Sequence, residues 1–246
     1  ILLVLEATRR AVGLPIMIIA IAFLLYAYFG PYMPAAIAHG GLNLEQLIHA
    51  MYFTTEGILG TPLQVSSTYI FLFLLFGAFL VQTGVGNYFN DLAISIAGRR
   101  TGGPAKVAIF SSALQGTISG SSVANTVTTG SYTIPLMKRL GYKKNFAGAV
   151  EAASSTGGQI MPPIMGAAAF LMIEFAGVGY WEIAKAALIP ALLYFSGIWI
   201  MTHLEAKKLG LLGLPEEEIP PKKDVLKKIH LLIPILSIIW CLYRGF

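Results

Sequence analysis

Small oxygen-bearing residues and glycines crowd two neighbouring stretches of an otherwise apolar chain. The first is Gly116 to Ser122, G-T-I-S-G-S-S, followed by Asn125; the second is Ser154 to Gln159, S-S-T-G-G-Q, with Pro162-Pro163 just beyond. Paired prolines do not continue a helix, and glycine pairs unwind one, so both stretches read as interrupted helices. Interruption frees backbone carbonyls, hard ligands that suit sodium, and the C-terminal end of a half-helix adds a favourable dipole. Thr117, Ser119, Gly120, Ser122, Asn125, Thr156, Gly157 and Gly158 are therefore the candidate sodium ligands. The first break holds no carboxylate, which suits a monovalent ion better than calcium. An anion prefers helix N-termini, where unpaired N–H groups point outward. Ser121 and Ser122 are placed to cap the helix after the first break, and a helix starting past Pro162 and Pro163 offers a second N-terminus. With Gln159 between them, these five residues are the candidate substrate-binding set. No Lys or Arg lies in either break, so a cation pairing with any bound anion has to come from elsewhere.

The elements that position these breaks are membrane helices. Of 246 residues, 56% are hydrophobic and 12% charged, with mean hydropathy +0.71. That composition is an all-α integral membrane protein, a multi-span helical bundle. The net charge of +5 does not indicate nucleic acid, because the basic residues form no single patch. They sit at the ends of apolar segments and report topology. One cysteine, Cys241, excludes a disulfide or a Cys-based metal site within the chain. Enzyme chemistry finds little support. The glycine-rich break lacks the Lys of a phosphate loop, G-x-S-x-G is absent, the four His are scattered, and Ser119 has no evident base.

Charge placement decides how the first break is carried. Lys106 precedes the run Val107 to Met137; Lys138, Arg139, Lys143 and Lys144 follow it. One straight crossing strands a basic cluster on the wrong side, whereas a re-entrant hairpin at 107–137, turning at Gly116 to Ser122, returns to its starting face. Each arm of roughly 12–15 residues reaches about 20 Å, near the midplane. A broken transmembrane helix at 145–177 follows. Residues 1–102 then read as scaffold, with spans near 12–29 and 65–83 and interfacial helices near 42–59 and 88–97. Residues 103–180 form the transport-type region. Residues 181–246 hold spans at 186–201 and 229–243, joined by an extended, solvated cytoplasmic loop 203–228. Arg9-Arg10 and Arg99-Arg100 mark the cytoplasmic face, Tyr180 and Trp181 an outer aromatic belt. Of 17 Lys and Arg, all but Lys185 and Arg244 fall on the cytoplasmic side.

Each signal has a structural rival. Gly116 and Gly120 make a G-x-x-x-G, often only a packing face. The hydroxyls from Thr126 to Thr133 are suited to bonding back to their own helix. Gly157-Gly158 with Pro162-Pro163 could make a simple kink. Glu151 and Glu174 invite a functional role as carboxylates in apolar segments, but both fall near expected helix ends, where an interfacial position suffices.

The run G-T-I-S-G-S-S-V-A-N-T-V-T-T-G-S-Y-T-I-P-L-M-K-R-L-G-Y, with E-A-A-S-S-T-G-G-Q-I-M-P-P-I-M-G-A-A-A-F, closely resembles the large permease subunit of TRAP (tripartite ATP-independent periplasmic) transporters. T-T-E-G-I-L-G-T-P-L-Q-V-S and F-G-A-F-L-V-Q-T-G fit the same family, in the fused form associated with TAXI-class binding proteins. The resemblance implies one half of an inverted-repeat elevator transporter, a sodium-coupled importer of an organic anion, usually a carboxylate. It implies a periplasmic TAXI-type solute-binding protein as partner, the inner (cytoplasmic) membrane as location, and no cofactor beyond the coupling ion. The remaining half of the permease and small-subunit-like helices are expected to belong to a longer protein of which this chain is a fragment. An ion channel or a proton-coupled carrier, with the re-entrant hairpin as selectivity element, is the alternative.

Overall fold

Prolines open helices in this chain. Pro15, Pro62 and Pro104 each stand in a first turn, where the missing N–H has no partner to lose. The computed structural model describes residues 1–244, and among these there is no strand. Two compact units divide after Thr68.

The first unit, Ile1–Thr68, holds α1 (Leu2–Ala11), α2 (Leu14–Phe29), α3 (Leu44–Tyr52) and α4 (Thr61–Val65). Helix α1 lies ahead of the first expected span. Glu6 pairs there with Arg9 at 2.6 Å and Arg10 at 2.8 Å; the two guanidiniums, Arg9 foremost, hold its carboxyl below the usual range. After α2 the chain is pinned by His39. Its Nδ1 accepts from the Gly41 N–H at 3.1 Å, which leaves Nε2–H to donate to the Tyr26 carbonyl at 3.1 Å. Asn43 and Gln46 form a reciprocal capping box that starts α3. The interfacial helix expected at 42–59 is shorter than its periodicity suggests, because the chain folds back after Tyr52. Ile58 N–H bonds to the Met51 carbonyl at 2.8 Å, and Gly57 lies so close to the Ala50 and Met51 carbonyls that a Cβ would collide.

The second unit, Tyr69–Phe246, comprises α5 (Phe71–Gln82), α6 (Val85–Ala97), α7 (Gly103–Ser119), α8 (Ser122–Arg139), α9 (Lys144–Gly157), α10 (Ala167–Ala176), α11 (Tyr180–Lys208), α12 (Lys222–Lys227) and α13 (Ile233–Arg244). Helix α7 is its axis: 13 of its 17 residues are buried, and α5, α6, α8, α9 and α11 all pack on it. This places α5 and α6, grouped with residues 1–102 in the sequence, in one body with the hairpin. Ala105, Ala108, Ile109, Met137, Val150 and Phe195 close one core; Leu80, Val85, Phe89, Ile118 and Ile164 close another. Small residues on α7 let the surrounding helices approach.

Among the described residues three helices are long and apolar enough to cross a membrane, Leu14–Tyr32, Thr61–Gln82 and Tyr180–Lys208, with a fourth if the pair Glu216–Lys227 and Ile229–Arg244, bent by 69°, is one span. The expected span 186–201 sits inside the 29-residue α11, whose helix persists through Pro190 and ends at Lys207 and Lys208. Helices α7 and α9, of 17 and 14 residues, are shorter than such a span, and α8, of 18 residues, is rich in serine, threonine and asparagine.

The loop 203–228 departs from its expectation. It is not simply extended, although Glu216 to Glu218 are exposed, as a solvated run is. Leu214 N–H bonds to the Gly98 carbonyl at 2.8 Å, Gly102 N–H to the Leu211 carbonyl at 3.3 Å, and Leu214 and Val225 are buried. Arg99 pairs with Glu216 at 2.6 Å and Arg139 with Glu218; Lys228 reaches Asp91 at 3.1 Å. Two of the three glutamates thus meet basic residues that flank the hairpin. Lys106 also differs from a flanking surface charge. It is buried, its Nζ 3.1 Å from His203 Nδ1 and over the Trp199 ring at 5.1 Å. Tyr142, in the link between α8 and α9, is buried as well, and desolvation, then Glu205, push its phenol up to about 12.

Exposed ion pairs contribute about 0–1 kcal/mol, whereas truncating a buried leucine costs about 2–5 kcal/mol. Leu214→Ala is therefore expected to destabilise the protein by at least about 2 kcal/mol and Glu218→Gln by less than about 1 kcal/mol, compared by denaturant unfolding in detergent. Equal losses would mean that the ion pairs, not Leu214, hold this loop down.

Candidate functional site

Helices α7 and α8 turn back on each other through two residues. Gly120 ends α7 in the left-handed region at φ +57°, its N–H bonded to the Gly116 carbonyl at 3.3 Å. Ser121 begins α8 as its cap, its Oγ accepting from the Ala124 N–H at 3.3 Å. The arms run antiparallel, with Asn125 Nδ2 donating to the Ser112 carbonyl at 2.8 Å. Facing this tip, α9 ends at Gly157, a 3-10 turn covers Gly158–Ile160, and the chain runs irregularly through a cis Pro162-Pro163 bond until α10 starts after Gly166. Gly166 N–H bonds back to the Gln159 carbonyl at 2.7 Å and closes this irregular loop.

The two breaks touch through backbone. A Cβ on Gly116 would overlap Gly158, and one on Gly120 would overlap the Met165 carbonyl. Between them lies a cavity of about 390 Å³. Ser119, Gly120, Ser121, Ser122 and Gln159 form its polar side, with Gly166 and Ala167 from the start of α10; Phe73, Ile164 and Phe170 form its apolar side. Gln159 Nε2 donates to Ser122 Oγ at 2.7 Å and ties the breaks together. Three helix ends meet here, the C-terminus of α7 and the N-termini of α8 and α10. Carbonyls from the first favour a cation, and N–H groups from the other two favour an anion. Among the described residues that line the cavity, none is charged.

The candidate ligands divide accordingly. Ser119, Gly120, Ser121, Ser122 and Gln159 come together at the cavity, and the Ser119 hydroxyl is buried without a hydrogen-bond partner. Asn125 and Gly158 meet one layer deeper, beside Gly116, with the Asn125 amide committed to the Ser112 carbonyl. Thr117 and Thr156 turn away, each bonding a carbonyl of its own helix, Leu114 at 2.6 Å and Ala152 at 2.8 Å. Gly157 faces Tyr194 and Phe195 of α11. Pro162 and Pro163 do not line the cavity; the Pro163 carbonyl accepts from the Tyr180 hydroxyl at 2.9 Å, so they shape the loop that carries Met165 and Gly166.

Glu151 corrects the expectation of an interfacial carboxylate. It lies in mid-helix, fully buried, and accepts from Ser112 and Ser155 at 3.0 Å each and from Thr129 and Thr133. Its signal in the sequence is a spacing across elements: Ser112, Thr129 and Thr133 align with it only once three helices are in register. Glu174 is exposed on α10, as an interfacial residue is.

A family model described as "Tripartite ATP-independent periplasmic transporter, DctM component" matches residues 1–246. The chain is 29% identical over 168 residues to the sialic acid TRAP transporter large permease protein SiaM of Vibrio cholerae, covering 68% of this chain and 39% of that one. It is 30% identical over 146 residues to the C4-dicarboxylate TRAP transporter large permease protein DctM of Pseudomonas aeruginosa, covering 58% and 33%. It is 24% identical over 140 residues to the 2,3-diketo-L-gulonate TRAP transporter large permease protein YiaN of Escherichia coli, covering 56% and 32%. The matched regions span about two fifths or less of these relatives' length.

Gly120→Ala combines a left-handed backbone with a collision against the Met165 carbonyl. The conformation alone costs about 1–2 kcal/mol, so a loss of more than about 2 kcal/mol is expected in denaturant unfolding. A neutral Gly120→Ala would show that tip and loop are farther apart than this geometry requires.

Proposed function

The chain belongs to the DctM component family of tripartite ATP-independent periplasmic transporters, and on that premise we propose that it carries one ion-and-substrate site of a sodium-coupled secondary transporter. The solute is an organic anion, most naturally a carboxylate; sialic acid, a C4-dicarboxylate and a diketo-gulonate, named for three relatives, are all organic acids. In this reading a periplasmic solute-binding protein, of TAXI type, delivers the solute. The hairpin and broken helix then carry it across the inner membrane by an elevator displacement. The rest of the permease and small-subunit-like helices complete the machine and supply the cation that pairs with the solute's carboxylate. The hairpin is re-entrant in this reading, entering and leaving the membrane on the cytoplasmic side with Arg99, Arg139 and Lys144.

One observation carries the reading. The carbonyl end of α7 and the N–H ends of α8 and α10 converge on a single cavity with serine oxygens and no fixed charge. Such a place favours a small cation and an anionic group side by side. The unpartnered Ser119 hydroxyl is the side chain best placed to serve the ion.

The test is the thermal stability of the full-length permease in detergent, titrated with NaCl against matched KCl. A dissociation constant of about 10 mM predicts about 1.4 kcal/mol of stabilisation at roughly 100 mM sodium. Ser119→Ala removes no hydrogen bond of the fold, so it is expected to keep the stability in KCl and lose the sodium increment. Identical curves in both salts for the wild type would remove sodium from this site.

A further inference from the structure

Glu151 of α9 is buried, and among the described residues no cation pairs with it. Oε1 accepts from Ser112 of α7 and Ser155 of α9 at 3.0 Å each and from Thr129 of α8, and Oε2 accepts from Thr133 of α8. The charged and titratable groups of the packed helices turn elsewhere. Lys106, six residues or about 9 Å of helix rise before Ser112, faces His203 and Trp199. Arg139 pairs with Glu218, and Tyr132, Lys138 and Lys144 are exposed. On α11, Tyr194 donates to the Ala153 carbonyl at 2.9 Å, Glu182 and Lys185 lie in the opening turns, and Glu205, Lys207 and Lys208 lie in the last. The carboxyl is held by four hydroxyl donors and, among the described residues, by no cation. Its oxygen partners already touch one another, Ser112 Oγ lying 3.1 Å from Thr129 Oγ1. That spacing is a hydrogen-bond distance and suits a proton shared among oxygens.

The hydroxyls serve either protonation state. Thr133 Oγ1 is also 3.0 Å from the Thr129 carbonyl, and Thr129 Oγ1 is 2.8 Å from the Asn125 carbonyl. With the carboxylate ionised, both threonines donate to it. With a proton on Oε2, that O–H donates to Thr133 Oγ1, and Thr133 turns its own proton to the Thr129 carbonyl. No polar group is orphaned in either state. A cavity of about 220 Å³, lined by Asn87, Asn90, Gln115, Thr128 and Thr129, adjoins the cluster. It is polar and roomy enough for water, and Gln115 Oε1 is buried there without a protein partner. Thr129 is both a wall of this cavity and a partner of Glu151.

We propose that Glu151 is a proton-binding site of the hairpin bundle, loaded and emptied from this cavity by way of Thr129. The proton comes from water in the cavity and returns to it; only the O–H bond on the carboxyl forms and breaks. Glu151 lies seven residues, or about 10 Å of helix rise, before Gly158, so the carboxyl is set back from the tip, with Asn125, bonded to Thr129 and to the Ser112 carbonyl, between them.

The experiment uses the full-length permease in sodium-free buffer and infrared difference spectra taken across pH. A carbonyl band of a protonated carboxylic acid is expected to grow as pH falls, to shift in heavy water, and to vanish in Glu151→Gln with the amide spectrum unchanged. Thr133→Val keeps the carboxyl and removes the one donor to Oε2. The anion then loses a charge-assisted hydrogen bond and the acid only a neutral one. The proton is expected to bind about tenfold more tightly, moving the band's midpoint up by about one pH unit. A band that persists unchanged in Glu151→Gln, no band in the wild type over the pH range in which it stays folded, or an unmoved midpoint in Thr133→Val would each overturn the proposal. Sodium enters no arm, so failure here leaves the tip site to its own test.

Discussion

Everything in the second unit depends on one close approach, the backbone of the hairpin tip lying directly against the unwound stretch after α9. Peptide groups released from a helix inside an apolar environment need covering, and here each break covers the other. Gly116 against Gly158 and Gly120 against the Met165 carbonyl leave no space for a side chain. That contact sets the depth of the cavity and seats the Asn125 amide on the Ser112 carbonyl. It also brings the end of α7 to the starts of α8 and α10. The packing reading of Gly116 and Gly120 and the binding reading are therefore one: the glycines pack so that the helix ends can meet.

Around that contact the usual distribution of side chains is reversed. Leu72, Phe79 and Leu193 are exposed, as residues that face lipid are, while Asn125, Thr129, Thr133, Glu151 and Ser155 are buried. Outward apolar surface gains nothing by packing in a bilayer, so helix register is left to small residues and to hydrogen bonds. The hydroxyls gathered on Glu151 come from three helices and accept no sliding of one past another. A network of this kind specifies a single arrangement because every alternative leaves a buried polar group unpaired.

The helical hairpin is legible in the sequence because basic residues at both ends of the run argue against a straight crossing, and its turn is legible because glycine and serine concentrate there. The broken helix is legible from Gly157-Gly158 and Pro162-Pro163 for the same reason. What pattern does not reveal is orientation. Thr117 and Thr156 are as rich in oxygen as Ser119, yet they bond back into their own helices. Gly157 and Gly158 are adjacent, yet one faces α11 and the other the hairpin. Glu151 reads as a residue near a helix end until α7, α8 and α9 are assembled. The loop 203–228 reads as solvated because its charges are visible in the sequence, while Arg99 and Arg139, which Glu216 and Glu218 meet, stand far away along the chain.

Sequence distance also sets an order of assembly. Helices α6 to α9 follow one another in the chain and pack on one another, so their contacts close short loops and form early. Lys106 is different: its neighbours His203 and Trp199 arrive only with α11, His203 97 residues later. Without them the Lys106 ammonium has neither the ring nor the imidazole beside it, and burying it bare is costly. The foot of the hairpin is thus completed by the most distant helix it touches.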